Sequence, residues 1–317
     1  MPGFITHYIA GQALLDAVQP KIRRIIEPRA NIFNLGAQGP DIFFYYVPGF
    51  IRRRSRGVGS QMHMENLGVF FMHMANRLKN TRHPAEQKIV FAYTSGFLMH
   101  YSLDVYAHPY VYACTHNDND RKLQSAARHR QFETALDVEM LKLVSGEKPA
   151  DYKLWHLIRA KDVHMRAAAL AVSSAVLNTY NRDVQPLDVY MAMRYMVRFT
   201  RLLQSKGGRR KRLMALAEDL TIRANPLSAM VHMQEVIDGR DYMNIKKASW
   251  NAPWEHESRE VSFVELYQNA VAEAAQMVQG LYSYMRGDVS LEKLMEQIGN
   301  RSLKTGEALQ WPTQTLL

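Results

Sequence analysis

Gly96-Phe97-Leu98-Met99-His100-Tyr101-Ser102-Leu103-Asp104-Val105-Tyr106-Ala107-His108 is the stretch that decides the fold. Most of it belongs to Glu86–Tyr106, which is mostly apolar and too long for a strand, and so predicts a buried central helix. His100, Asp104 and His108 punctuate it in steps of four. At about 100° per residue, such steps hold all three side chains within a stripe roughly 80° wide. With a rise of about 1.5 Å per residue, His100 and His108 lie ~12 Å apart along the axis. One ion with bonds of ~2 Å does not span that gap. Asp104 stands between them with two oxygens, so the spacing points to several metal ions and to Asp104 as a bridge. Pro109 disfavours helical backbone at His108, which predicts a kink or an end there.

Outward from this stretch, helical periodicity dominates. Met62, Leu67, Phe70, Phe71, Met74 and Leu78 recur at three- to four-residue intervals, predicting a helix over Met62–Leu78. Gln124–Val144, Ala160–Asn178, Leu187–Leu203, Arg209–Arg223 and Ser262–Met285 read the same way. Strand signals are nearly absent, so the expected class is all-α, a multi-helix bundle. Asn34–Tyr46, with Gly36, Gly39 and Pro40, is expected to be a loop, as are Arg52–Ser60, Gly146–Ala150, the turn at Gly207-Gly208 and the irregular Asp241–Glu257. Residues 1–317 are expected to form a single helical domain, with the metal ligands in 1–145 and additional helices in 150–317.

Bulk composition sets bounds. The chain has 317 residues, of which 47% are hydrophobic and 22% charged, enough for a full core and unlike a disordered protein. Its one cysteine, Cys114, rules out a disulfide framework and reads as a small buried residue. No window reaches the ~18 apolar residues of a membrane span. The opening Met1-Pro2-Gly3-Phe4-Ile5-Thr6-His7 lacks the basic and apolar regions of a signal peptide, so the cytoplasm is the expected compartment. The net charge of +10 is partly carried by Arg52-Arg53-Arg54 and Arg209-Arg210-Lys211-Arg212. Such runs could meet lipid headgroups at a membrane surface. Neither is interleaved with stacking aromatics, which argues against nucleic acid.

Further candidate ligands lie on both sides of the central helix. His129-x3-Glu133 places two ligands one helical turn apart, able to chelate a single ion. Asp41 follows Gly39-Pro40 in the expected loop, His63 opens the next helix, and His7 lies near the beginning. His73, His83, His156, His164, His232 and His256 have no ligand-like company.

In order and spacing, His7, Asp41, His63, His100-x3-Asp104, His108 and His129-x3-Glu133 resemble the zinc-dependent phospholipases C of bacteria. The strings Leu35-Gly36-Ala37-Gln38-Gly39-Pro40-Asp41 and Gly96 to Asp104 are similar to that family too. The resemblance covers roughly residues 1–145 and implies two or three zinc ions. Asp41, His63, His100 and Asp104 would hold one, His108, His129 and Glu133 a second, and His7 with Asp104 a third. In the family the third ion is also bound by an N-terminal Trp. Here the amine of Met1 or Pro2 would stand in its place, so that site is expected to fill less well. The interval from Asp104 to His108 is shorter than in the secreted members, and His116 is an alternative ligand.

The implied activity is hydrolysis of a phospholipid or related phosphoester by water that zinc activates, with Asp41 orienting or deprotonating that water. Two other readings compete. One is a single-strand nuclease, because the S1/P1-type enzymes use a similar three-zinc helical site. The other is a non-catalytic zinc-stabilised helical or interaction protein.

Overall fold

A computed structural model of the protein describes residues 3–45, 57–117, 122–149, 151–203, 235–236 and 238–312. Among these residues every regular element is helical. The only β pairing is two isolated bridges, Trp250 with Arg259 and Arg301 with Ala308.

The order is α1 Phe4–Ala17, α2 Pro20–Ile26, α3 Ala30–Gly36, a 3-10 turn Gly39–Phe44, α4 Val58–Met64 and α5 Leu67–Asn80. Then follow α6 Pro84–Thr115, α7 Lys122–Ser145, α8 Leu154–Leu157, α9 Asp162–Tyr180, α10 Pro186–Leu203, α11 Phe263–Arg286 and α12 Leu291–Ile298. No described helix is long and apolar enough to cross a membrane.

The central helix is α6. Every residue from Ile89 to Val105 is buried, as an all-round apolar helix requires. It packs against α1, α2, α3, α5, α7, α9 and α11. Phe91, Tyr93, Phe97 and Tyr101 are fully enclosed, and burying a side chain of that size contributes about 1.5–3 kcal/mol. Among the described residues, the apolar cluster around α6 draws its members from between Ile5 and Leu303. The second long helix against it, α11, starts with a capping box. There Ser262 Oγ accepts from the Glu265 amide (3.2 Å) and Glu265 accepts from the Ser262 amide (2.9 Å).

Several expectations need correction. The helix read over Met62–Leu78 is two helices, broken where Asn66 takes a left-handed backbone (φ 50°). Asn tolerates that conformation, and the apolar spacing runs through the break because both helices bury the same side. His63 therefore closes α4 rather than opening a helix. Of the segment read as a loop over Asn34–Tyr46, the described residues 34–36 end α3 and Gly39–Phe44 form a 3-10 turn, with Pro40 near its start, where a missing N–H costs nothing. Finally, α6 neither ends at His108 nor stops short of Pro109 but runs on to Thr115. Packing on both sides of the helix overrides the local preference of proline. The runs at 52–54 and 209–212, the expected helix over 209–223 and the turn at 207–208 lie outside the described residues.

Candidate metal centre

Two glycines set the geometry. A Cβ on Gly36 would lie 2.1 Å from the Tyr93 carbonyl oxygen, and one on Gly96 would lie 2.1 Å from that of Phe33. Helices α3 and α6 therefore touch backbone to backbone, which only residues without a Cβ permit. One turn beyond Gly96 on α6 comes His100. One turn beyond Gly36 comes Gly39, with φ 51° and its missing Cβ 2.3 Å from the His100 ring. That contact sets Asp41 at the edge of α6.

From the other side, α1 arrives with no side-chain cap of its own. Its first turn is held instead by Asp137 of α7, which accepts from the Ile5 amide (3.1 Å), the Thr6 amide (2.8 Å) and the Thr6 hydroxyl (2.6 Å). A carboxylate at a helix N-terminus satisfies free amides and suits the helix dipole. Here it also fixes the approach of His7. Sequence reasoning passed over Asp137, although it stands four residues after Glu133 and so extends the His129, Glu133 stripe on α7.

All eight residues expected at the site converge, and they form three groups whose ligand atoms lie within 4.8 Å of one another. The groups are His7, His100 and Asp104; Asp41, His63 and His100; and His108, His129 and Glu133. His100 joins the first two, a wider role than expected. His116 is exposed at the end of α6 and belongs to none of the three, and neither does the half-buried Cys114. Asp104 Oδ1 is 3.2 Å from His7 Nε2, while its Oδ2 is 3.1 Å from His100 Nε2 and 3.9 Å from both His63 Nε2 and His108 Nδ1. His63 Nε2 is 3.4 Å from Asp41 Oδ1, and His129 Nε2 is 2.7 Å from Glu133.

Two observations test whether such a set fits metal ions. First, His7 Nε2, His100 Nε2, Asp41 Oδ1 and both oxygens of Asp104 are buried and make no hydrogen bond of proper alignment, although they approach one another closely. Buried polar atoms without such bonds are costly, and a shared cation relieves several at once. Second, three histidines turn Nδ1 to a backbone carbonyl: His63 to Gly59 (2.6 Å), His100 to Ala37 (3.3 Å) and His108 to Leu303. A carbonyl only accepts, so Nδ1 carries a proton and Nε2 is the nitrogen left to offer a lone pair to an ion, as in metal-bound histidines. The residues fit zinc, which favours His nitrogen and carboxylate oxygen.

Electrostatics agree. Burial pushes the His7 imidazole below its ordinary value, with the neighbouring His100 adding to the effect. It pushes His108 down to about 3 and His129 well below the usual range. These three are neutral at pH 7, as a ligand must be. For His100 burial also pulls downward, but Asp104 outweighs it and the net shift is upward. Asp104 is held well below the carboxylate range because His100 and His108 outweigh its burial.

Stability should follow these shifts. As pH falls below about 6.5, unfolded chains bind protons at His7, His108 and His129 while the folded protein does not, so stability falls. Asp104 adds to the loss as pH drops toward its unfolded value. His100, shifted upward, opposes the loss only near about pH 6.5, where its unfolded form is still titrating, and contributes no further change below that. The chelated protein is therefore expected to be less stable at about pH 5 than at about pH 6.5. Urea midpoints measured at the two pH values check this, and equal midpoints would refute it.

Residues 6–182 match the family described as zinc dependent phospholipase C. Since that segment is more than half of the chain, this protein belongs to the zinc-dependent phospholipase C family, a family of hydrolases. Comparison with curated proteins and with solved structures returns no match.

Proposed function

We propose that this protein is a zinc-dependent phosphodiesterase that cleaves a phospholipid or a related phosphoester in the manner of phospholipase C. The observation that carries the reading is Asp104, a buried carboxylate whose Oδ1 faces His7 while its Oδ2 faces His100 and lies 3.9 Å from His63 and His108, members of the other two ligand groups. That arrangement suits two ions bridged by one carboxylate. We assign Asp41, His63, His100 and Asp104 to one zinc, His108, His129 and Glu133 to a second, and His7 with Asp104 to a third.

When bound, clustered zinc supplies positive charge to the phosphate oxygens and lowers the pKa of water toward about 7. The chain's own part is positional and acid–base. Asp41 Oδ1 is buried, lacks an aligned hydrogen bond and faces His63. It is placed to orient a water and take its proton as the oxygen attacks phosphorus. The P–O bond on the opposite side then breaks, the leaving oxygen (that of diacylglycerol for a phospholipid) takes a proton from solvent, and Asp41 gives the proton it took back to solvent. Neutral His7, His108 and His129 hold their lone pairs for coordination through this cycle.

A lipid substrate is favoured by two exposed apolar side chains next to the site. Phe44 is 48% exposed with its ring 5.3 Å from that of His63, and Met64, the residue after His63, is 44% exposed. In the sequence Arg52-Arg53-Arg54 lies between them, a charge suited to an anionic membrane surface.

Metal-replete protein assayed with short- and long-chain phospholipids is expected to release the phosphorylated headgroup, and a chelator should abolish the release. A single-stranded oligonucleotide should survive. Cleavage of the oligonucleotide alone would make the protein a nuclease. Turnover of no phosphodiester at all would leave the zinc with a structural role.

A further inference from the structure

The segment that follows α12 has no part in the family-matched residues 6–182, yet it reaches two of the assigned histidines. Residues 302–307 form a tight turn. The Ser302 amide donates to the Glu307 carbonyl (2.9 Å), the Gly306 amide donates to the Ser302 carbonyl (2.9 Å), and Ser302 Oγ accepts from the Lys304 and Thr305 amides.

The turn makes three contacts with the metal centre. The Leu303 carbonyl accepts from His108 Nδ1. The Lys304 amide (3.1 Å) and the Ser302 hydroxyl (3.3 Å) both donate to the backbone carbonyl of His63. Gly306, at φ 74°, packs where a Cβ would lie 2.6 Å from the Val105 carbonyl oxygen and 3.3 Å from the Pro109 ring.

That last position has a cause in α6. Pro109 has no N–H, so the Val105 carbonyl four residues earlier loses its helical partner. The turn docks against this gap, beside His108.

We propose that the turn Ser302–Glu307 is a working part of the metal centre, selecting the His108 tautomer through the Leu303 carbonyl and pinning the His63 backbone through Ser302 and Lys304. Ser302 and Gly306 are positioning residues: they touch no ion, but they fix where Nε2 of two ligands points. Partners of this kind typically alter metal affinity by about ten- to a hundredfold. The proposal rests on the zinc reading above, but its test does not depend on turnover.

The test uses the full-length zinc-loaded protein. Gly306→Val adds a Cβ both at a positive φ and against the Val105 carbonyl. Ser302→Ala is milder and removes only the hydroxyl. Ser290→Ala, which removes the α12 cap (Ser290 Oγ accepts from the Lys293 amide), serves as a control for general destabilisation. Zinc release to a chromogenic chelator is expected to be about ten- to a hundredfold faster in Gly306→Val, and faster to a smaller degree in Ser302→Ala. It should be unchanged in Ser290→Ala. Imidazole 15N spectra should show His108 protonated on Nδ1 in wild type and losing that signature in Gly306→Val. If Ser302→Ala and any folded Gly306→Val keep wild-type release rates and the Nδ1 signature, the proposal is overturned. Equal acceleration by Ser290→Ala overturns it too. Wild type that binds no zinc sinks it together with the metal assignment.

Discussion

Replacing Asp104 by Asn is expected to remove more than one equivalent of zinc. Asp104 shares one group with His7 and His100, and its Oδ2 also lies 3.9 Å from His63 and from His108, one member of each of the other two groups, so a single carboxylate stands between all three. Asn keeps the shape of the side chain but offers one neutral oxygen, and its NH2 would point a donor at one of the two positions. His129→Ala or Glu133→Ala, by contrast, touches only the third group and should empty one site. Elemental analysis of protein dialysed at equal free zinc separates the cases. A loss of one equivalent or less in Asp104→Asn refutes the bridge. The same variant should lower stability even without metal, since His100 and Asp104 sustain each other's charge in a site with no exposure to water. Breaking a buried pair by removing one charge costs about 3–5 kcal/mol.

How much of this was legible in the sequence differs by element. The helix α6 announced itself because the seventeen residues buried on all sides, from Ile89 to Val105, are apolar except for the ligands and for Thr94, Ser95 and Ser102, whose hydroxyls each donate to a backbone carbonyl. The pairs His100 with Asp104 and His129 with Glu133 were equally readable, because four-residue steps share a helix face whatever the surroundings. The convergence of His7, Asp41 and His63 upon α6 had no such signal. It came from likeness to a family, and its physical basis, the Gly36–Gly96 contact and the Gly39 turn, is tertiary.

Helix α1 was illegible for a related reason: its own residues supply no cap, and its N-terminus depends on Asp137 from α7. Of the kink or end that Pro109 suggested, the end did not come, because a local backbone preference of a few kcal/mol is outweighed by burial of Ala107, Tyr110 and Val111 around it. The contribution of Leu303 is a backbone carbonyl, and every residue has one, so no reading of residue types finds it.

Replacing Asp41 by Asn is expected to lower phosphodiester hydrolysis by about a hundred- to ten-thousandfold, the usual scale for removing a general base. The fall should exceed any fall in zinc. Asn can still give one oxygen to an ion but cannot accept a proton. Asp41 is held in a 3-10 turn behind the buried Gly39-Pro40, so the substitution leaves the backbone path intact. It leaves the neighbouring His63 Nδ1 on the Gly59 carbonyl as well. The comparison must be made at saturating zinc, because a half-empty site mimics a chemical defect. Two results decide the role. Activity that falls only in proportion to bound zinc makes Asp41 a ligand and nothing more. Activity lost at full occupancy, with substrate binding preserved and the decline confined to kcat, assigns it the proton.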